Sequence, residues 1–325
     1  MIEPLLIENK NRFVLFPIKH HDIWELYKLS QSSLWIAEEI DFSLDKNDWD
    51  LRLNNNERFF IKNILAFFAF SDGIVNENLA LNFHNEIQIP EVRCLYTGQM
   101  QIESIHSECY SLMIDTYITD SEEKNKMFNS LESNPIVSKK AEWGLKWITN
   151  GTFAERLLAF GVIEGVFFSG SFCAIFWLKS RGLMPALCMS NQFISRDEAL
   201  HCHTCVLLYS KLIYTRLSEK RVHEIFTEAY LIEKEFITKS IPVSLIGMNN
   251  TLMVQYIEFV CDYWLDRLGY SKLFNSVNPF PFMDYINIET KSNFFEKRES
   301  NYSKANISFN KESIIDNDFS IDYDF

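Results

Sequence analysis

Two short stretches hold residues suited to metal or redox chemistry. QIESIHSECY, residues 101–110, carries Glu103, His106 and Tyr110, and SRDEALH, residues 195–201, repeats Glu-x-x-His at Glu198 and His201. At about 100° per residue, Glu103, His106 and Tyr110 fall at about 0°, 300° and 340° around a helix, within one narrow arc. One such segment is compatible with an ordinary polar helix face. Two Glu-x-x-His pairs point to a pair of metal ions, provided the chain supplies further carboxylates.

It does supply them. Asp72 interrupts the apolar run ILAFFAFSDGIVNENL, and Glu164 interrupts LLAFGVIEGVFFSGSFCAIFWL. A carboxylate isolated in a hydrophobic core is costly or takes up a proton, so four of them need a common reason. Four helices would each present one buried carboxylate and two would add an imidazole, the arrangement of ferritin-like dimetal carboxylate proteins. Two divalent metals carry four positive charges, so the set Asp72, Glu103, His106, Glu164, Glu198 and His201 is neutral when filled. Carboxylate and imidazole donors suit iron or manganese. HCHTC, residues 201–205, offers Cys202, His203 and Cys205 to zinc, but no second Cys-x-x-Cys completes a four-ligand module, and helix packing is the better reading of these cysteines.

The elements that must position these residues are helical. Eight prolines punctuate long 3.6-periodic patterns, giving candidate helices at about 21–33, 54–85, 91–117, 121–131, 138–148, 152–181, 190–215, 218–238 and 250–268. Strand alternation is confined to a short piece near 283–290. Twenty-eight Phe against ten Gly also disfavour a turn-dense β fold. The expected fold is all-α, a ferritin-like bundle with additional helices, in one domain over 1–295. Residues 296–325 are polar with no apolar stripe and read as a flexible tail.

Composition excludes several function classes. A net charge of −13 without a basic run argues against nucleic-acid binding. Seven scattered cysteines and an N-terminus without a signal-peptide pattern indicate a reducing, cytoplasmic setting. The segment 157–178 is long and apolar enough to span a membrane, but Glu164 sits in its middle, so it is expected as a buried core helix rather than a membrane anchor.

Tyr110 lies one turn beyond His106 on the same face. Phe168 and Phe172 follow Glu164 by one and two turns, and Ile194 precedes Glu198 by one, which would wall the phenol with apolar groups. A phenol beside an oxygen-activating metal pair can lose one electron, and such walls would shield the radical from water.

At this point SSLWIAEEID, AFSDGIVNENL, IESIHSECYSL, EGVFFSGSF, RGLMPAL, ISRDEALH, LIGMNNTLM, QYIEFVCD and NFFEKR all resemble, in order, blocks of the small, radical-bearing subunit of class I ribonucleotide reductase of the eukaryotic and viral type. The resemblance runs from about residue 12 to Phe325. It implies that Asp72, Glu103, His106, Glu164, Glu198 and His201 hold two irons per chain, with manganese as the other metal to consider. It further implies that oxygen at this centre oxidises Tyr110, and that Trp35 and Asp197 begin an electron path from His106. Tyr302 would relay that path between subunits. Phe319, Ile321 and Phe325 would anchor the tail on the large catalytic subunit, which reduces ribonucleoside diphosphates. A homodimer is implied in the same way. A non-catalytic support paralogue would have lost ligands, and no ligand position is substituted here. A ferritin-like diiron oxidase would leave Trp35, Asp197 and Tyr302 unexplained.

Overall fold

The computed structural model describes residues 2–129, 135–240 and 248–283. Nine helices carry the described architecture: α1 (His21–Ser32), α2 (Asn55–Glu86), α3 (Pro90–Tyr117), α4 (Ser121–Phe128), α5 (Pro135–Thr149), α6 (Phe153–Ser180), α7 (Pro185–Ser210), α8 (Glu219–Glu235) and α9 (Asn250–Leu268). Among the described residues there is no strand. Helices α2 and α3 pack along each other, α7 crosses both halves of α6, and α1 closes over α3. Tyr302, Phe319, Ile321 and Phe325, the proposed tail boundary at 295/296 and nearly all of the strand-like piece at 283–290 lie outside the described residues.

Local chemistry sets the helix starts. Asn54 caps α2 by accepting from the Glu57 amide at 3.0 Å, while Glu57 accepts from the Asn54 amide at 2.8 Å. Thr152 and Glu155 form the same reciprocal box at the start of α6. Pro90 and Pro185 open α3 and α7, where a missing N–H is harmless and the fixed φ suits the first turn. Gly269 ends α9 at φ 81°, a left-handed position that glycine takes without strain.

Helix α7 runs Pro185–Ser210, five residues earlier at each end than the sequence pattern predicts. Its start is capped from far along the chain: Asp45 accepts from the Ala186 and Leu187 amides, and Asp48 from the Met184 amide, each at 2.8 Å. Its end is pulled away by Glu3, which accepts from the amides of Ile213, Tyr214 and Thr215 at 2.6 to 2.9 Å. Neither partner can be read from the helix's own residues.

The run predicted as one helix over 152–181 is interrupted. Ile163–Phe167 form a π-turn, with one extra residue per turn, and Glu164 sits in it. Such turns are rare and cluster at functional sites. A second π-turn, Leu79–Phe83, lies late in α2. Among the described residues two helices rather than one are long and apolar enough to cross a membrane, α2 as well as α6. Both are core helices: Phe60, Ile64, Leu65 and Phe68 of α2 and Leu157, Val166, Phe167 and Ala174 of α6 are buried.

Candidate metal and radical centre

Four helices deliver the expected side chains to one place. Asp72 comes from α2, Glu103 and His106 from α3, Glu164 from the π-turn of α6, and Glu198 and His201 from α7, all buried. The donors fall into two groups, Asp72–Glu103–His106 and Glu103–Glu164–Glu198–His201, each with ligand atoms within 4.8 Å of one another. Glu103 belongs to both. Its Oε2 lies 3.4 Å from His106 Nδ1 and its Oε1 lies 3.0 Å from His201 Nδ1. Glu198 faces both histidines too, at 3.2 Å from His106 and 3.1 Å from His201. Two carboxylates thus stand between two imidazoles, with Asp72 and Glu164 at the outer ends.

The donor set fits a two-metal site. Asp72 Oδ2, Glu103 Oε2, His106 Nδ1, Glu164 Oε2 and Glu198 Oε1 are fully buried and take no hydrogen bond. Five unsatisfied polar atoms in one small volume are costly unless cations complete them. Burial, with the Glu103 charge added, pushes the Asp72 carboxyl well above the usual range. Burial likewise raises Glu164. For Glu103, burial is outweighed by the charge of His201 and by both histidine contacts, which bring it down to about 2. Burial disfavours charge on His106 and His201, yet their carboxylate neighbours lift both well above the ordinary imidazole value. Protons and cations would compete for these atoms, so metal affinity here should fall as the pH falls.

Outside the donors, polar partners fix their orientation. His106 Nε2 lies 3.2 Å from Asp197 Oδ2, and the Trp35 indole N–H donates to the same oxygen at 2.7 Å. The Trp35 and His106 rings lie nearly parallel with centroids 5.9 Å apart. Burial alone would raise Asp197, but the Arg196 guanidinium and the bonds from His106 and Trp35 hold it below the usual range. A metal-bound histidine commonly has such a carboxylate behind it. Gln99, which the sequence reading missed, donates to Glu164 Oε1 at 2.7 Å. It lies one turn before Glu103 on the same face, and that spacing is the signal that could have found it.

Tyr110 is buried beside the donors. Burial, then the charges of Asp72 and Glu198, push its phenol well above the ordinary value, so it carries its proton. Phe168, Phe172 and Ile194 are buried, and Phe168 and Phe172 pack on Phe68 with ring centroids at 5.4 and 5.2 Å. The ring in contact with Tyr110 is Phe68, which sequence reasoning passed over although it lies one turn before Asp72. Phe68 is sandwiched, with Phe172 on its other side at 5.2 Å.

The zinc alternative does not assemble. Cys202 Sγ faces the Gly161 carbonyl, Cys205 Sγ donates to the Leu157 carbonyl, and His203 packs against Trp264. The cysteines pack α7 against α6.

Residues 12–279 match the family described as ribonucleotide reductase, small chain. The chain belongs to this family. The small subunit of ribonucleoside-diphosphate reductase from Dictyostelium discoideum is 56% identical over 308 residues, 94% of this chain and 91% of its own length. The Variola virus small chain is 54% identical over 325 residues, all of both chains. Among solved structures, the Rnr4 homodimer from Saccharomyces cerevisiae superposes with a TM-score of 0.80 at 39% identity, covering 89% of this chain and 92% of that one. The dimanganese(II)-NrdF of Streptococcus sanguinis, at 17% identity and a TM-score of 0.72 over 86% of this chain and 98% of its own, shares the fold. A ribonucleotide reductase small chain acts with a large subunit, and the activity here is that of a ribonucleoside-diphosphate reductase small subunit.

Proposed function

We propose that this small subunit holds two irons on Asp72, Glu103, His106, Glu164, Glu198 and His201 and uses Tyr110 as its radical site. The observation that carries the reading is the pair of donor groups sharing Glu103, with a protonated, buried phenol one turn beyond His106. Irons bound there supply the oxygen chemistry that takes one electron from a nearby side chain. Manganese suits the same oxygen and nitrogen donors.

The chain's own residues do the rest. Glu103 and Glu198, each reaching both histidines, hold the two cation positions close together. Asp197 fixes the His106 ring by its Nε2 edge, leaving Nδ1 to face the site. Tyr110 would give up its electron and its phenolic proton together to the oxidant generated at that centre, because a phenol radical cation in so apolar a pocket would be prohibitively costly. Phe68, Phe168 and Phe172 exclude water from the oxidised ring. His106, Asp197 and Trp35 form a contiguous hydrogen-bonded line leading away from the centre, suited to carrying the oxidising equivalent towards the large subunit. Tyr302 continues that line on the tail, and Phe319, Ile321 and Phe325 dock the tail in an apolar groove of the partner. Seven free thiols suit a reducing cytoplasm. The homodimeric relative supports a second copy as partner.

Anaerobic addition of Fe(II) followed by oxygen tests the assignment. About two irons per chain should bind, as a two-metal carboxylate site implies. A chain that takes up one iron, or none, refutes it.

A further inference from the structure

Outside the metal centre, one ion pair among the described residues is wholly buried. Lys140 of α5 and Glu233 of α8 lie 2.6 Å apart, and neither side chain is exposed to solvent. Burial brings the Lys140 amine down to about 8 and raises Glu233 to about 7, so the pair is held at a cost to the fold. A surface bridge would have been cheaper, and apolar residues of the same volume would have packed as well. The location suggests what the pair does.

Lys140 Nζ also donates to the Phe167 carbonyl at 2.7 Å. Phe167 is the last residue of the π-turn Ile163–Phe167, the turn that carries Glu164. Nζ stands 3.7 Å from the centroid of Phe67 and 3.8 Å from that of Phe236, so two ring faces share the charge. Glu233 packs against the same helix beside it. A Cβ built on Gly170, three residues after the turn, would come within 2.6 Å of Glu233 Oε1. The turn is thus held at its end by α5 and backed by α8. A π-turn holds one residue more than an α turn, and reverting to α geometry would shift the register by that residue and rotate Glu164 by about 100° relative to the helix beyond it.

We propose that the Lys140–Glu233 pair is a positioning device for Glu164: it pins the Phe167 carbonyl and so keeps the π-turn aimed at the metal centre. The inference rests on the assignment of Glu164 as a ligand. Neither Lys140 nor Glu233 touches a ligand, and the effect is transmitted through the backbone of the turn.

Equilibrium Mn(II) binding, read from the free-ion paramagnetic resonance signal, separates the two ideas. Unsubstituted protein that fails to bind two Mn(II) per chain refutes the ligand assignment itself. Given two sites in the unsubstituted chain, Lys140→Met/Glu233→Met replaces the pair by apolar groups of similar volume. The expected result is a 10- to 100-fold loss of affinity at one site, the range for groups supporting a ligand. The other site should hold its affinity. A purely structural pair would change the melting temperature and leave both affinities alone, and that result overturns the proposal. Glu233→Gln keeps Lys140 on the Phe167 carbonyl and should bind both ions within a few-fold of normal. Equal weakening in Glu233→Gln and the double variant would show that the charge, not the bond to the turn, matters, and would also overturn it.

A measurement on the unsubstituted chain stands whether or not the variants fold. Coupling is reciprocal, so metal must also act on Lys140. Its ε-carbon resonance, displaced by the ring currents of Phe67 and Phe236, should move on loading with diamagnetic Zn(II). A resonance that stays fixed while Zn(II) binds overturns the proposal.

Discussion

Phe68 and Tyr110 stack face to face, their ring centroids 4.7 Å apart and their planes 10° from parallel. Phe68 comes from α2, one turn before Asp72, and Tyr110 from α3, one turn after His106. The same helix pair therefore supplies donors to the metal centre and both rings of the stack. In the proposed radical role, a tyrosine stacked and buried in that way would be shielded on one face by the Phe68 ring.

Two substitutions should separate making the radical from protecting it. Tyr110→Phe keeps the stack and the donors, so iron loading should be unchanged while the tyrosyl resonance signal disappears. Phe68→Ala leaves a cavity beside an intact phenol and should cost about 3–5 kcal/mol of stability. Its radical should still form but decay faster in the presence of a small reductant such as hydroxyurea. A tyrosyl signal in Tyr110→Phe would show that another phenol is the site.

Trp35 and Asp197 differ in what they support. Trp35→Phe removes one N–H from Asp197 Oδ2 but leaves His106 bonded. Iron content should stay near two per chain, while deoxyribonucleotide formation with the large subunit should fall by at least a hundredfold. Asp197→Ala frees the His106 ring and should also weaken metal binding by about 10- to 100-fold. Metal titration by calorimetry and turnover measured on the same preparations would check both. Equal metal affinities in the two variants would contradict the distinction.

The donor set was legible in the sequence because it is local. Glu-x-x-His puts two ligands on one helix face whatever the rest of the fold does, and Asp72 and Glu164 betray themselves by interrupting apolar runs. The structure brings these six side chains into two adjoining groups that share Glu103. Residues acting across the fold were harder to see. Phe68 and Gln99 look like any core phenylalanine and helix glutamine until α2, α3 and α6 are brought together. The start of α7 depends on Asp45 and Asp48, more than 130 positions earlier, so no local pattern marks it. The π-turn at Glu164 is invisible to a 3.6-residue period, because one inserted residue shifts the stripe without breaking its apolar character. Lys140 sits in a segment that reads as an ordinary amphipathic helix, and the partners that bury it, Phe67, the Phe167 carbonyl, Glu233 and Phe236, all come from other elements.

Acid should loosen the start of α6 before it reaches the core. Glu155 closes the capping box with Thr152 and takes the Arg221 guanidinium at 2.8 Å. Burial would raise its carboxyl, but the Thr152 amide and hydroxyl and Arg221 together hold it below the ordinary value. A depressed folded value means that the ionised form favours folding. This contribution is complete above the unfolded value, about 4.3, and is lost as pH falls through the folded one. Glu155→Gln should therefore be less stable than the parent at pH 7, and the gap should narrow at acid pH, as the pH falls from the unfolded value through the lower folded one. Urea midpoints at the two pH values decide it, and a gap of constant size would rule the carboxylate out.

The tail makes a separable prediction. Phe319, Ile321 and Phe325 put three apolar anchors on an acidic, polar segment, a pattern suited to a groove on a partner. Removing residues 319–325 should abolish turnover while leaving iron and radical content intact, and the peptide NDFSIDYDF should inhibit the intact pair. Full turnover by the truncated chain at dilute subunit concentrations would exclude docking through these residues.

Tyr302 tests how the oxidising equivalent leaves the protein. The segment around it, ESNYSKANIS, is polar and offers no apolar stripe for a core, so the phenol has no packing role to perform. At about 3.3 Å per residue, the stretch from Arg298 to Phe325 can reach tens of ångströms from the bundle, further than one electron transfer step can usefully cross. A phenol part-way along, held once the end of the tail has docked, divides that distance. Tyr302→Phe removes a single oxygen and no anchor. Iron loading, the Tyr110 signal and affinity for the large subunit should all be preserved, while deoxyribonucleotide formation falls to background. The informative measurement is turnover at saturating large subunit, with binding confirmed independently. Near-normal turnover under those conditions would remove Tyr302 from the path.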